Sequence, residues 1–380
     1  MSNAILLAPG PVQLHPEVQK ILAQPMIHHR TPEFDEILKR VLKNLKFFFQ
    51  TKNQVFIHTS TGSGGLESVL VNVLSPNDEV LAIVSGKFGE RWVDMAEVFG
   101  AKVHRLNIDW GKSVEVSDVE NFLKKNTNIK IVMCQACETS TATAHDIKAL
   151  GEVIAKTEAL FLVDGITAVG AYDIKMDEWS IDGLVAGSQK AVMLPTGLSF
   201  VSLSEKAWAL AEKASCPKFY FDLRKERKAN QNGETFYSSN VPLIKALDFV
   251  LSRIFDIGLA KHFAQLRRRA DFTREIAKIM GLELYSSAPS DSVTALNVPQ
   301  NIDGVKLRLD LESKYQLTVM GGQDQLKGKI IRIGHMGYIL DEHLIETMHR
   351  LSLGLKDFGF TIDPENIKTQ CISWLKARAL

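Results

Sequence analysis

Three short segments in the first half of the chain carry residue types that could act together on one small molecule. The first, Thr59-Ser60-Thr61-Gly62-Ser63-Gly64-Gly65, follows the apolar run Val55–His58 and precedes a helical pattern. Glycines let a backbone approach a phosphate, and a following helix N-terminus offers unpaired N–H groups and the positive end of its dipole. Thr61 and Ser63 add hydroxyl donors. No Gly-Lys-Ser/Thr follows, so this is neither a P-loop nor a G-x-G-x-x-G turn; a Ser/Gly turn without a ligand is the competing reading. The second segment ends an apolar run with an acid, Leu162-Val163-Asp164-Gly165-Ile166. A carboxylate at the end of a buried parallel strand points into the ligand crevice of such sheets. Its burial is costly without a cation, and a protonated pyridine nitrogen would serve; the alternative is an Asp capping the next turn. The third is Gly187-Ser188-Gln189-Lys190-Ala191. Among small and apolar neighbours a lysine is biased toward the neutral amine, the nucleophile that imine formation requires. Each segment alone has a bland explanation. Together they supply a phosphate cradle, a ring-nitrogen partner and an imine-forming amine, the handles of pyridoxal 5'-phosphate, an electron sink for chemistry at an amino acid's α-carbon.

The elements that must position these residues read as an α/β fold. Strands are predicted at Val55–His58, Glu79–Val84, Lys102–Leu106, Ile129–Met133, Leu160–Val163, Gly183–Ala186 and Leu198–Ser202. Several lack polar alternation, so helices should cover both faces of a mainly parallel sheet. Helices are predicted at Pro32–Phe48, Gly65–Val73, Arg91–Phe99, Val116–Lys125, Ile147–Lys156 and Ser204–Lys213; Thr31-Pro32-Glu33 starts the first with a cap, a proline and an acid. Residues 236–269 read as largely helical. Beyond about residue 260 the pattern changes to an α+β grouping: helix Arg267–Met280, strand Val293–Val298, helix Gly304–Lys314, strands Leu317–Met320 and Lys329–Ile333, and helix Asp341–Phe358, with the tail from Gln370 a short helix or a frayed end. With 380 residues, two domains are expected.

Bulk properties narrow the partners. Lys plus Arg number 45 and Asp plus Glu 44, a formal net charge of +1, which gives no reason to expect nucleic acid. Arg267-Arg268-Arg269 is expected to be a solvated helix face. No apolar run approaches a membrane span, and the N-terminus lacks the basic start and apolar core of a signal peptide, so a cytoplasmic protein acting on small molecules is expected. Cys134 and Cys137 spell C-x-x-C, but no second pair completes a zinc site and no metal is expected; small buried thiols at a strand end explain them.

At these same residues the chain resembles the class V aminotransferases of fold type I, in particular the alanine–glyoxylate and serine–pyruvate group. The resemblance runs from Ala8-Pro9-Gly10-Pro11 through His29-Arg30-Thr31-Pro32, Gly86-Lys87-Phe88-Gly89-Glu90-Arg91 and Gly187-Ser188-Gln189-Lys190 to Arg332-Ile333-Gly334. It implies a large pyridoxal phosphate domain at residues 21–259, a smaller C-terminal domain at 260–380, and a segment, 1–20, closing over the site. Lys190 would hold the cofactor and move protons, and Asp164 would keep the ring nitrogen protonated, with Ile166 beneath the ring and Phe88 stacked on it. Thr61, Gly62, Ser63 and Gln189 would hold the phosphate, and Thr139 would lie near the phenolic oxygen. In a homodimer with its site at the subunit interface, Tyr237 and Asn240 would reach the neighbour's phosphate; Asn240 stands where relatives have threonine. Arg332 would grip the substrate carboxylate, with the backbone of Gly10 closing over the substrate. The activity implied is transfer of an amino group from alanine or serine to glyoxylate or pyruvate. A phosphonate-type aminotransferase, a cysteine desulfurase or lyase, and a non-enzymatic subunit of the same fold are the alternatives; His28-His29-Arg30 could place cationic potential at the mouth of the site and favour an acidic substrate.

Overall fold

The computed structural model describes residues 4–231 and 233–378. The chain opens with strand β1 (Ile5–Leu6), helix α1 (Pro16–Leu22) and helix α2 (Pro32–Phe49). Helix α2 starts as its sequence dictates: the Thr31 side chain accepts from the Phe34 N–H and Pro32 takes the first turn. Strands and helices then alternate through β2 (Val55–His58), α3 (Gly62–Val73), β3 (Glu79–Val84), α4 (Lys87–Val98), β4 (Lys102–Asn107), α5 (Val116–Lys125) and β5 (Ile129–Gln135). A small hairpin of β6 (Cys137–Glu138) and β7 (Thr143–Ala144) precedes α6 (Ile147–Ile154), β8 (Leu160–Asp164), β9 (Gly183–Gly187) and β10 (Ser199–Leu203).

Seven of these strands form one sheet in the order β2-β10-β9-β8-β5-β3-β4. All residues of β2, β8, β9 and β10 are buried, as strands covered on both faces must be. Side-chain alternation splits β2 between the two faces: Val55 and Ile57 join the apolar cluster containing Phe34, Phe49 and Phe161, whereas Phe56 joins the one containing Leu66, Leu70 and Trp92. Strands β9, β8, β5, β3 and β4 pair in parallel, and β10 is antiparallel to both β9 and β2. The reversal has a local cause: no helix lies between Gly187 and Ser199, and a parallel return needs a longer crossover. Two reversals restore the direction, so β2, β5, β8 and β9 all end at the same edge of the sheet.

The chain continues through α7 (Glu205–Ala211), α8 (Leu223–Gln231), α9 (Val241–Ile257) and α10 (Leu259–Ile279) into β11 (Val293–Asn297), α11 (Gly304–Ser313), β12 (Leu317–Thr318), β13 (Met320–Gly321), β14 (Ile330–Gly334), α12 (Asp341–Asp357) and α13 (Pro364–Ala377). Strands β11, β14 and β13 make an antiparallel sheet in that order, and Phe272, Ile276, Leu307, Leu311, Ile333 and Leu351 share a further apolar cluster. Strand β1 pairs in parallel with β12, so the first described residues are part of this C-terminal sheet region.

Three expectations change. The strand predicted at Leu317–Met320 is two strands, β12 paired with β1 and β13 with β14. The tail from Gln370 belongs, over its described residues, to a longer helix: α13 runs from Pro364 to Ala377, its start capped by Asp363, and buries Cys371, Trp374 and Leu375; residues 379–380 lie outside the described residues. The arginine triplet is not a solvated face. Only Arg267 is largely exposed; Arg268 pairs with Asp341 at 2.7 Å, and Arg269 donates to the carbonyls of His335, Gly337 and Ile339. Helix α10 lies against the loop after β14, and uncapped carbonyls there need donors.

Candidate active site

The shared edge of the sheet brings the three segments together. Helix α3 begins at Gly62, three residues earlier than the glycine-based expectation of Gly65, and its N-cap Thr61 makes no side-chain cap bond. The first N–H groups of the helix are therefore left without that partner, which is what an anion at this position needs. Gly62 packs closely on that turn: a Cβ there would stand 2.6 Å from Cδ1 of Ile166, whose side chain would have to move. Ile166 in turn donates its N–H to Asp164 Oδ1 at 2.9 Å, so the turn after β8 packs directly on the cradle. On the other side Ser63 Oγ accepts from Arg91 Nη1 at 3.1 Å, and the Arg91 guanidinium lies 4.8 Å from the Phe88 ring centroid. The Gln189 amide oxygen is buried without a hydrogen-bond partner.

Lys190 follows β9 and is 8% exposed. Its Nζ donates to the Pro9 carbonyl at 3.0 Å, and a Cβ on Gly10 would fall 2.8 Å from that nitrogen. The N-terminal segment thus passes over the lysine with no room for a side chain. Burial lowers the Lys190 ammonium to about 8, opposed by the attraction of Asp164. Burial raises Asp164 to about 6, opposed by the Ile166 N–H and reinforced by Glu138, while Arg91 and Lys190 pull it back. A lysine near neutrality and an acid held in a dry site are what imine chemistry and a ring-nitrogen partner call for.

Arg332, on β14, reaches across from the C-terminal sheet. Nη1 donates to the Thr139 carbonyl at 2.8 Å, and Nε and Nη2 donate to the Gly321 carbonyl at 3.1 and 2.8 Å. Burial lowers its pKa to about 10. Glu138 attracts the guanidinium from a distance, but among the described residues no carboxylate is in ion-pair contact with it, which leaves that contact to an incoming carboxylate. The Thr139 hydroxyl shares a hydrogen bond with that of Thr167 at 2.7 Å. Tyr237 and Asn240 have their hydrogen bonds elsewhere. The Tyr237 hydroxyl donates to the Phe219 carbonyl and its ring stacks on Tyr220 at 4.7 Å, and the Asn240 carbonyl oxygen caps α9 through the Leu243 N–H.

Glu138 and Arg91 belong to the site and were not singled out in the sequence. Glu138 is fully buried at the end of the hairpin strand after β5, the same signal that marked Asp164. Arg91 follows Phe88 by one turn on α4, a spacing visible in the sequence, but its bond to Ser63 is fixed only by the packing of α3 beside α4. All four cysteines are buried, and burial raises the Cys137 thiol against its Ser290, Ser292 and Thr167 contacts, which is not the exposed, activated thiol of a desulfurase. Arg30 is committed to Glu234 at 2.7 Å and to the Thr235 carbonyl, so its charge is paired rather than offered to a substrate. Among the described residues no group of His, Cys, Asp and Glu could hold a metal ion, and no helix is long and apolar enough to cross a membrane.

An uncapped helix start beside hydroxyls, a buried acid and a low-pKa lysine fit a phosphorylated pyridine aldehyde. Comparison with known proteins agrees with this donor set. Residues 13–355 match the family model described as aminotransferase class-V. The L-aspartate–glyoxylate aminotransferase of Paracoccus denitrificans is 35% identical over 365 residues, 94% of this chain and 92% of the relative. The serine–glyoxylate aminotransferase of Methylorubrum extorquens is 31% identical over 388 aligned residues, covering 99% and 96% of the two chains. Among solved structures, the ureidoglycine–glyoxylate aminotransferase of Bacillus subtilis superposes with a TM-score of 0.93 at 29% identity over 99% of each chain. On sequence, fold and the arrangement of its buried polar residues, this chain belongs to the class-V aminotransferases, enzymes of transamination built on the fold type I scaffold.

Proposed function

We propose that the protein is a pyridoxal phosphate-dependent aminotransferase that moves an amino group from a small amino acid, alanine or serine, to a 2-oxo acid, glyoxylate or pyruvate. The observation that carries this reading is the buried Lys190 amine, pKa about 8, covered by the Pro9-Gly10 backbone and attracted by the Asp164 carboxylate. The cofactor, when bound, supplies the electron sink that makes the amino acid's α-proton labile. Thr61, Gly62, Ser63 and Gln189 would hold its phosphate, Asp164 its ring nitrogen, Ile166 and Phe88 its two faces, and Thr139 its phenolic oxygen. Lys190 is the covalent anchor and the base that carries the α-proton. Arg332 orients the substrate carboxylate, and Gly10 covers it. Three features support a small substrate with glyoxylate as acceptor: the close cover of the Pro9-Gly10 segment over Lys190, the committed state of Arg30, and the glyoxylate specificity in the names of the relatives.

The reading extends to assembly and location: a cytoplasmic homodimer in which Tyr237 and Asn240 of one subunit complete the phosphate site of the other. Within each subunit, residues 21–259 form the cofactor domain, 260–380 the small domain and 1–20 the closing segment. The partly exposed aromatic group of Phe219, Tyr220 and Phe236 around Tyr237 supports a covered surface there.

Borohydride reduction of the protein incubated with pyridoxal phosphate, followed by peptide mapping, is the direct test. The label is expected on Lys190 and absent from Lys190→Ala; a label on any other lysine would sink the assignment. A panel of donors with glyoxylate or pyruvate then ranks substrates by kcat/KM, with alanine and serine expected to lead.

A further inference from the structure

Glu138 is a buried, fully inaccessible carboxylate that, among the described residues, has no cation at ion-pair distance, the Arg332 guanidinium acting on it only from further off. Its partners are neutral donors instead. Oε2 accepts from the N–H groups of Phe88 and Gly89 and from Gln135 Nε2, each at 3.1 Å. Oε1 accepts from the Ser140 N–H at 3.1 Å and from the Ser140 hydroxyl. Phe88 and Gly89 lie in the first turn of α4, whose N-cap, Gly86, has no side chain to close it. Glu138 therefore does from fifty positions away what a local Ser or Asp does in most helices. Gly86 makes the room: a Cβ there would stand 2.6 Å from both Cγ and Cδ of Glu138.

The carboxylate is itself held in place. The Gln135 amide uses its other hydrogen on Ser85 Oγ at 2.9 Å, and Ser85 bonds His145 Nε2 at 2.8 Å. His145 Nδ1 accepts from the Val114 N–H at 3.1 Å. That backbone group can only donate, so the imidazole carries its proton on Nε2 and donates to Ser85. The Phe88 ring is meanwhile in contact with the Arg91 guanidinium, which is tied to Ser63 of the phosphate cradle. Glu138 fixes the backbone under the ring, and Arg91 fixes the ring against the cradle.

We propose that Glu138 is a positioning residue of the cofactor site: its carboxylate locks the first turn of α4 and thereby holds the Phe88 ring at the face of pyridoxal phosphate. This rests on the cofactor reading above. A purely structural acid would stabilise the fold without acting through Phe88, and a double-mutant cycle separates the two.

The test uses the whole protein as apoenzyme, with Glu138→Gln, Phe88→Leu and the double variant. Pyridoxal phosphate affinity is measured by titration, and visible circular dichroism is measured per bound cofactor. Replacing the carboxylate sets an amide N–H against backbone donors, and loss of a charged hydrogen-bond acceptor is expected to weaken cofactor binding by about 10- to 100-fold. Phe88→Leu is expected to weaken binding and reduce ellipticity in the same way, and the double variant to be no worse than the weaker single. Multiplicative effects in the double variant, or unchanged affinity and dichroism in Glu138→Gln, would overturn the proposal while leaving the cofactor site intact. Failure of the unmutated protein to bind pyridoxal phosphate at all would remove the site and the proposal together. Should Glu138→Gln not fold, Gln135→Met removes one donor and keeps the carboxylate. It is expected to lower affinity roughly 3- to 10-fold, again without adding to Phe88→Leu, and an effect that does add would count against the role.

Discussion

Lys190 and Asp164 lie in one dry site, and their charged forms work against folding over different pH ranges. The Lys190 pKa falls from 10.5 to about 8 on folding. Below 8 the folded protein carries a buried cation at full cost; as pH rises from 8 to 10.5 the unfolded chain is the one that binds the extra proton, and the cost disappears. Asp164 has the opposite sign. Its pKa rises from 3.8 to about 6, so its contribution is most favourable below 3.8 and is lost as pH rises through 6. Lys190→Met is therefore expected to stabilise the apoprotein at pH 7 by about 3 kcal/mol, measured by urea denaturation, with the gain shrinking toward zero above pH 10. A gain that stays constant with pH would show that lysine burial is not its origin. At Arg332 the geometry of the fork matters as well as its charge. Arg332→Lys keeps the cation and loses the paired donors, so KM for the amino acid is expected to rise roughly 10- to 100-fold with a smaller change in kcat; steady-state kinetics with alanine and serine decide it.

Elements are joined at this site by contacts that tolerate little change. The N-terminal segment is stitched to β14 by the Gly334 N–H, which donates to the Leu7 carbonyl at 2.7 Å, and a Cβ on Gly334 would come within 2.2 Å of the Ala8 carbonyl oxygen. Backbone cannot yield there as a flexible side chain could. Gly334→Ala is expected to displace residues 4–12 and cost about 2 kcal/mol. Limited proteolysis should then cut within that segment, and resistance equal to that of the unmutated protein would contradict the clamp. Arg269 performs a similar task between α10 and the loop after β14, serving three carbonyls from one buried guanidinium. Arg269→Met leaves those acceptors without donors and is expected to destabilise by about 3 kcal/mol in urea titration. The starts of α3 and α4 show where element reading from sequence stops. α3 was expected three residues late, from Gly65, yet Gly62, Ser63 and Gly64 are already helical, with Gly62 packed close to the Ile166 side chain. α4 was expected from Arg91 and starts at Lys87, because its cap, Glu138, is remote in sequence.

At the scale of the whole molecule, the proposed dimer makes a sharp demand. If Tyr237 serves the neighbour's site while Lys190 serves its own, a mixed dimer of Lys190→Ala and Tyr237→Ala chains has one doubly impaired site and one intact site. Co-refolding the two inactive variants in equal amounts is expected to restore about a quarter of full activity; no recovery beyond the parents would place Tyr237 outside the partner's site. What the sequence determined by itself was the alternation of apolar runs and helices, the covered parallel sheet, and the loops that follow Val55–His58, Leu160–Asp164 and Gly183–Gly187. These are written in neighbouring residues, through side-chain periodicity, glycine placement and local caps, and the candidate residues proposed at those strand ends were picked out by the same local signals. Only the tertiary structure decided that β10 runs against its neighbours, that β1 pairs with β12, that Arg269 is buried among carbonyls, and that Glu138 closes α4. In each case the partner is distant along the chain, and hydrogen-bond donors and acceptors carry no mark in the sequence of which distant group will satisfy them.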